Sequence, residues 1–279
     1  MKLHLRADLL STSSLFLIAG NGNYPFLVAR AARAAGVEHL IVAAFENETD
    51  PHLAEHATEI IWMRVGQVGK LLSAARKSGA AHGIMAGQIA PKNLFDLRPD
   101  FKTLLLLAQL KERNAETLFS TLAQELAKAG VTLLPATTFL ESHLATPGLI
   151  AGPKPSTRQC EEITFGHHIA KEVSRLNIGQ TVIVKNGTVL AVEGFEGTDE
   201  TIQRGGMLGQ GKACMVKVSK PHHDMRFDVP VIGLRTLETA AAAGITLMAL
   251  EAGRTLLLEL EEIKERAHQL GITLWGVED

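Results

Sequence analysis

At 279 residues, and roughly 150 residues per domain, the chain has room for about two domains, and it can bury enough surface to fold without disulfides. Its 28 basic and 30 acidic residues give a formal charge of −2, which excludes a global positive field for nucleic acid, so any bound anion is held locally. Only Cys160 and Cys214 are present, which excludes a disulfide framework or zinc ribbon and fits a reducing, cytoplasmic setting, and 5% aromatics leave few platforms for stacking bases.

The first residues faintly imitate a secretion signal, but Arg6 and Asp8 split the apolar run, and SLFLIAG reads as a first strand. The turn NGNYP and the helix FLVARAARAAG follow. Glycines between strand and helix let backbone N–H groups approach a phosphate, although Pro25 stands where a dinucleotide fingerprint has its third glycine. A plain tight turn fits equally well. HLIVAAF is a second strand, and Glu46 just beyond it would be the ribose carboxylate of a NAD site, which keeps a NAD-dependent oxidoreductase as an alternative. His52, Glu55 and His56 match a zinc spacing, but the preceding Asp50-Pro51 reads as an ordinary helix cap and start. EIIWMRV is a third strand, GQVGK resembles a phosphate loop only in part and opens the helix VGKLLSAARKSG, and HGIMAG is a fourth strand. A helix from Thr103, a second from Glu116 and the strand VTLLP complete an alternating pattern that predicts a parallel sheet covered by helices. No apolar run reaches the roughly 18 residues of a membrane span.

Residues 139–157, rich in Pro and Gly, are expected as a linker between a Rossmann-like domain, 1–138, and a mixed-sheet α/β domain, 158–279, with the active site in the cleft between them. The second half restarts with a helix from about Gln159 to Leu176. The strands QTVIVK and TVLAVEG flank Asn186-Gly187, the dipeptide of a tight hairpin. Glu193, Glu196 and Asp199 follow the hairpin, and are either hard oxygen ligands for Mg²⁺ or Mn²⁺ or the acidic first turn of a helix. After the strand KACMVKV, an extended backbone would put Asp224, Arg226 and Asp228 on one side and Met225, Phe227 and Val229 on the other, as in a solvated edge strand. The same residues, with Lys217 and Lys220, are also what phosphoryl chemistry uses. A short strand, a helix, the strand ITLMAL, the turn EAGR, a further helix and the strand ITLWGV end the chain.

The runs IAGNGNYP, IGQTVIVKNGTVLAVEGFEGTD and KVSKPHHDMRFDVPVIG, with the later EAGR, together resemble the two-domain UDP-2,3-diacylglucosamine pyrophosphatases of the lipid A pathway, not the calcineurin-like type, whose GNHD or GNHE signature is absent. The resemblance implies hydrolysis of UDP-2,3-diacylglucosamine to UMP and 2,3-diacylglucosamine 1-phosphate with a divalent metal, Mg²⁺ or Mn²⁺. The family's essential aspartate falls in its R-x-D-x-P stretch, here Arg226 to Pro230, which makes Asp228 the first catalytic candidate. Asp228, Asp199, Glu196, Glu193 and Asp224 are then the metal-ligand candidates. Lys217, Lys220, Arg226 and Arg254 would hold phosphate, and Gly20, Asn21, Gly22, Gln180 and Thr198 would contact the nucleotide. The expected partner is the lipid substrate, with peripheral contact to the inner membrane through it and no nucleic acid; a homodimer is left open. A non-catalytic binder of the nucleotide-sugar lipid is a further alternative.

Overall fold

The computed structural model describes residues 13–89, 99–110, 115–220 and 224–278, so Arg6, Asp8, His222 and His223 lie outside the described residues. The chain divides into two compact units. The first runs to Leu140 and takes in Met225–Phe227; the second comprises Glu141–Asp224 and the chain from Asp228 onward. No helix among the described residues is long and apolar enough to cross a membrane.

The first unit is built on β1 (Ser14–Ala19), β2 (His39–Phe45), β3 (Glu59–Met63), β4 (His82–Ala86) and β5 (Thr132–Leu133). They form one sheet in the order β3-β2-β1-β4-β5, every neighbouring pair parallel. β1 and β2 are buried along almost their whole length, as near-continuous apolar strands in a parallel sheet must be. Phe16 and Ile18 on one face of β1 meet Leu71, Leu72 and Ala75 of α2 (Val68–Ser78) and Ala123 and Leu126 of α4 (Ala115–Lys128). Helix α1 (Tyr24–Ala34) joins β1 to β2, and α3 (Phe101–Gln109) precedes α4.

Helices α2 and α3 begin against one another. The Asp100 carboxylate caps α3 through the Thr103 N–H at 2.8 Å, while its second oxygen accepts from the Gly69 N–H of α2 at 2.7 Å. The Val68 N–H donates to the Thr103 hydroxyl at 3.2 Å. Burial pushes the Asp100 carboxyl up, but hydrogen bonds from Thr103, Gly69 and Lys70 outweigh this and hold it below the usual range. The GQVGK segment is therefore a helix start whose anion is a side chain of the protein itself.

The second unit has a six-stranded mixed sheet in the order β6-β13-β11-β9-β7-β8, formed by β6 (Gly148–Ala151), β7 (Thr181–Lys185), β8 (Thr188–Val192), β9 (Ala213–Lys217), β11 (Ile245–Glu251) and β13 (Thr273–Val277). β9, β11 and β13 are mutually parallel, and β6, β7 and β8 pair antiparallel. β10 (Val231–Ile232) and β12 (Leu256–Leu257) form a separate parallel pair. Helix α5 (Thr157–Arg175) packs on one face against Val182, Val184, Cys214 and Val216, and α6 (Thr198–Gly209), α7 (Leu234–Ala242) and α8 (Leu260–Leu270) cover the other. Asn186 and Gly187 have φ of 52° and 72°, as the expected two-residue hairpin turn requires.

Residues 139–157 contain β6, which pairs with β13, and the units part between Leu140 and Glu141. A Cβ at Gly276 of β13 would lie 1.8 Å from the Thr146 carbonyl oxygen, so this edge pairing depends on glycine. α5 starts two residues earlier than expected because Ser156 and Gln159 form a capping box. The largest difference concerns Asp224–Asp228, expected as an extended edge strand. It is a turn, closed by the Asp228 N–H on the Asp224 carbonyl at 3.1 Å. Within the first unit the Ala136 N–H donates to the Met225 carbonyl at 2.7 Å and Phe227 stacks on Phe119 with centroids 5.4 Å apart. Those contacts override the alternating pattern.

Asp100→Ala is expected to lower stability by about 2 kcal/mol, since two helix starts lose their acceptor. Because the folded-state pKa is depressed, this contribution is present at neutral pH and is lost as pH falls through the depressed value. Urea titrations should show the gap from the parent protein constant near neutrality and closing below about pH 4.

Candidate functional site

The carboxyl ends of β9, β11 and β13 in the second unit share one edge with the start of β7 and the end of β8, since Lys217 pairs with Thr181 and Leu250, and Glu251 with Val277. Open α/β sheets bind ligands at such edges. Lys217 is the centre of this one. As the last residue of β9 it continues the face of Ala213 and Met215, and it is only 5% exposed. Its Nζ donates to the Thr198 hydroxyl at 3.0 Å and to the Val231 carbonyl at 3.4 Å. The Thr198 hydroxyl in turn donates to Glu193 at 2.9 Å, and the Gln180 N–H reaches the second Glu193 oxygen at 3.3 Å. Burial pushes the Lys217 ammonium down from its ordinary value, while the charges of Glu193, Asp199 and Asp228 oppose that shift.

Five of the residues singled out in the sequence thus surround Lys217: Glu193, Thr198, Asp199, Asp228 and, through its backbone, Gln180. Thr198 and Asp199 open α6, whose N-cap residue, Gly197, offers no side-chain cap. Asp199 also pairs with Arg235 at 3.0 Å. Lys220 and Asp224 are half-buried in the same unit.

Other candidates stand elsewhere. Glu196 pairs with Arg204 at 2.5 Å, and its own backbone N–H and that guanidinium hold it below the usual carboxylate range. Arg226 belongs to the first unit, its guanidinium 5.7 Å from the centre of the Phe227 ring. Arg254 pairs with Glu251 at 3.3 Å. Gly20, Asn21 and Gly22 also lie in the first unit. There the Gly20 and Asn21 N–H groups donate to the Ala86 and Gln88 carbonyls, both at 2.8 Å, and a Cβ at Gly20 would lie 2.4 Å from the Gln88 oxygen. This glycine is required by the approach of the chain after β4, and the two N–H groups are engaged within the fold.

Two local motifs are also resolved. His52 and Glu55 lie in a short 3₁₀ turn that His56 follows, with His52 on Asp50 at 2.8 Å and His56 edge-on to Phe26. Glu46 pairs with Arg64 at 3.3 Å. Among the described residues no group of three or more His, Cys, Asp or Glu stands close enough to hold a metal ion. Sequence reasoning missed Glu251, which is 2% exposed and accepts from the Ser219 N–H at 2.6 Å. Its signals are an acid ending an otherwise apolar strand and its place at the head of the EAGR turn.

Two family models divide the chain: the LpxI N-terminal domain matches residues 14–143 and the LpxI C-terminal domain residues 146–275. The UDP-2,3-diacylglucosamine pyrophosphatase LpxI of Caulobacter vibrioides is 30% identical over 275 residues, covering 95% of this chain and 97% of that protein. Among solved structures, the biotin carboxylase domain of the Hydrogenobacter thermophilus 2-oxoglutarate carboxylase aligns with 62% of this chain and 35% of its own, at 13% identity and a TM-score of 0.26. The biotin carboxylase domain of a single-chain bacterial carboxylase aligns with 61% and 35%, at 18% identity and a TM-score of 0.27. Likeness at that level is no guide to fold or function.

Removing the buried cation would take away the charge that Glu193, Asp199 and Asp228 all face. Lys217→Met is therefore expected to cost about 3 kcal/mol in urea unfolding. An unchanged unfolding midpoint would show that the carboxylates do not depend on it.

Proposed function

Because this chain belongs to the LpxI family, matched by both of its domain models and by a family member along 95% of its length, we propose that it hydrolyses the pyrophosphate bond of UDP-2,3-diacylglucosamine in lipid A biosynthesis. That end-to-end match carries the reading, and the cluster around Lys217 supplies chemistry suited to it. Water adds to one phosphorus, the bridging P–O bond breaks, and UMP and 2,3-diacylglucosamine 1-phosphate separate; attack on either phosphorus gives the same products. Asp228 orients the water and accepts its proton. Lys217, fixed by Thr198 and Val231, faces the phosphate oxygens and stabilises the charge that grows on the leaving group. Lys220 and Arg254 are further phosphate contacts, and Gln180 and Thr198 nucleotide contacts.

A divalent cation, Mg²⁺ or Mn²⁺, belongs to the proposal. The donors are all hard oxygens, and Mg²⁺ commonly takes one or two carboxylates, several waters and the substrate's own phosphates, so the lack of a three-residue cluster among the described residues fits such a site. Asp228 and Asp199 would hold it, the latter by exchanging Arg235, whose side chain is 86% exposed. When bound, the cation would neutralise pyrophosphate oxygens.

The lipid substrate brings the protein to the cytoplasmic face of the inner membrane. Helix α3 supports this, because its outward residues are apolar at helical spacing: Phe101 is 76% exposed, Leu104 51% and Leu105 44%, while Thr103 and Leu106 turn inward. Such a face suits the headgroup boundary of a bilayer.

Purified protein given UDP-2,3-diacylglucosamine with Mg²⁺ or Mn²⁺ should release UMP, which a NAD-dependent oxidoreductase or a mere binder of the lipid would not do. Asp228→Asn should stay folded and lose about 100-fold or more in turnover, and EDTA should abolish it. Near-normal hydrolysis by the folded variant would remove Asp228 from the chemistry. The double variant Leu104→Glu, Leu105→Glu should sediment with vesicles severalfold less than the parent while still hydrolysing detergent-dispersed substrate.

A further inference from the structure

Glu251 closes β11 next to Lys217, because the residue before it, Leu250, is the cross-strand partner of Lys217. The two side chains leave opposite faces of the sheet. Leu247 and Ala249 belong to the α5 face, which Glu251 continues, whereas Lys217 continues the face of Met215. The Glu251 carboxylate divides its work. One oxygen accepts from the Ser219 N–H at 2.6 Å and from the Ser219 hydroxyl at 2.9 Å. The other faces Lys171 at 3.2 Å and Arg254 at 3.3 Å.

A carboxylate needed only to neutralise two cations could sit in water, where its desolvation costs nothing. This one is 2% exposed and commits an entire oxygen to a residue two positions beyond Lys217. Ser219 is itself 1% exposed, and its carbonyl accepts from the Ser174 hydroxyl at 3.2 Å. Between them, the Val218 N–H donates to the Gln180 carbonyl at 3.0 Å. Both residues after Lys217 are therefore fixed, and the chain cannot pivot at the place where the ammonium must stay aimed.

Resting on the hydrolase reading above, we infer that Glu251 is a positioning residue for the reaction, acting through Ser219 to hold the end of β9 and with it Lys217. Two substitutions separate this role from charge pairing. Glu251→Gln keeps a carbonyl oxygen for Ser219 but loses the charge, and Lys171 and Arg254, with side chains 27% and 46% exposed, can turn to water. Glu251→Asp keeps the charge but withdraws the carboxylate by one carbon, about 1.5 Å. The flexible cations can follow it, whereas the Ser219 N–H, fixed by the Val218–Gln180 and Ser174–Ser219 hydrogen bonds on either side, cannot.

Hydrogen exchange at the Ser219 amide and steady-state release of UMP should both be measured on the full-length protein. The expected result is exchange about tenfold faster or more in Glu251→Asp, with kcat about tenfold lower or more, and both within about threefold of the parent in Glu251→Gln. The reverse order, with Gln impaired and Asp normal, would overturn the inference in favour of charge pairing. Equal loss in both, tracking a fall in thermal stability, would reduce Glu251 to a structural residue. Parent protein that releases no UMP would overturn the hydrolase reading itself, whereas unchanged Ser219 exchange in Glu251→Asp would overturn the positioning role alone.

Discussion

A buried charge has to be answered within hydrogen-bonding reach or the fold is penalised by several kcal/mol, and the two most deeply buried charges of the second unit stand on neighbouring strands. Lys217 at the end of β9 is 5% exposed and Glu251 at the end of β11 is 2% exposed. They carry opposite signs and leave opposite faces of the sheet. Each gathers its opposites: Lys217 faces Glu193, Asp199 and Asp228, and Glu251 faces Lys171 and Arg254. Much of the local architecture follows from this demand. The hairpin delivers Glu193, α6 begins where Thr198 can bridge Glu193 to the ammonium, and α5 runs where Lys171 and Ser174 reach the other face.

This arrangement also explains why a formal charge of −2 says so little about what the protein binds. Opposite charges cancel in the total wherever they lie, and here several of them are packed against one another at a single sheet edge. A cation held among three carboxylates is fixed in position before any substrate arrives. Preorganised charge of that kind stabilises a transition state more effectively than the same groups in water, since nothing has to reorient during reaction.

The elements were legible wherever a short-range pattern decides them. Strands of a parallel sheet must be apolar along their length, and Asn186-Gly187 supplies the two positive φ angles that a tight hairpin needs. β6 was hidden because Pro147, Gly148, Gly152 and Pro153 mark its ends as loop, and its pairing depends on Gly276, far along the chain. The Asp224–Asp228 turn was misread as a strand because alternation of charged and apolar residues is also what a turn shows when Phe227 has a partner in Phe119. Glu193 and Asp199 stand out as acids flanked by glycines, Lys217 as part of a mixed charge cluster, and Asp228 through the R-x-D-x-P stretch of the family that the chain resembles. Glu251 does not stand out, although it opens the EAGR turn, because its partners Lys171 and Ser219 are 80 and 32 residues away.

The comparison of helix starts carries the argument one step further. Sequence offered a phosphate two such starts in the first unit, the Gly20 turn before α1 and the GQVGK segment before α2. In the folded chain the Gly20 and Asn21 N–H groups are engaged by the Ala86 and Gln88 carbonyls, and the Gly69 N–H by Asp100. A helix start whose donors already have an acceptor attracts an anion far less than an open one, because binding must first break a hydrogen bond. Helix α6, like α1, has no side-chain cap, and its distinguishing feature is that Lys217 stands against Thr198. In the glycine-rich turn that looks most like a nucleotide fingerprint, two of the N–H groups that a phosphate would need are thus already taken. At the inconspicuous Gly197-Thr198 junction the first turn carries Asp199 and Glu200, so it is the buried lysine beside it, and not the helix start, that supplies positive charge there.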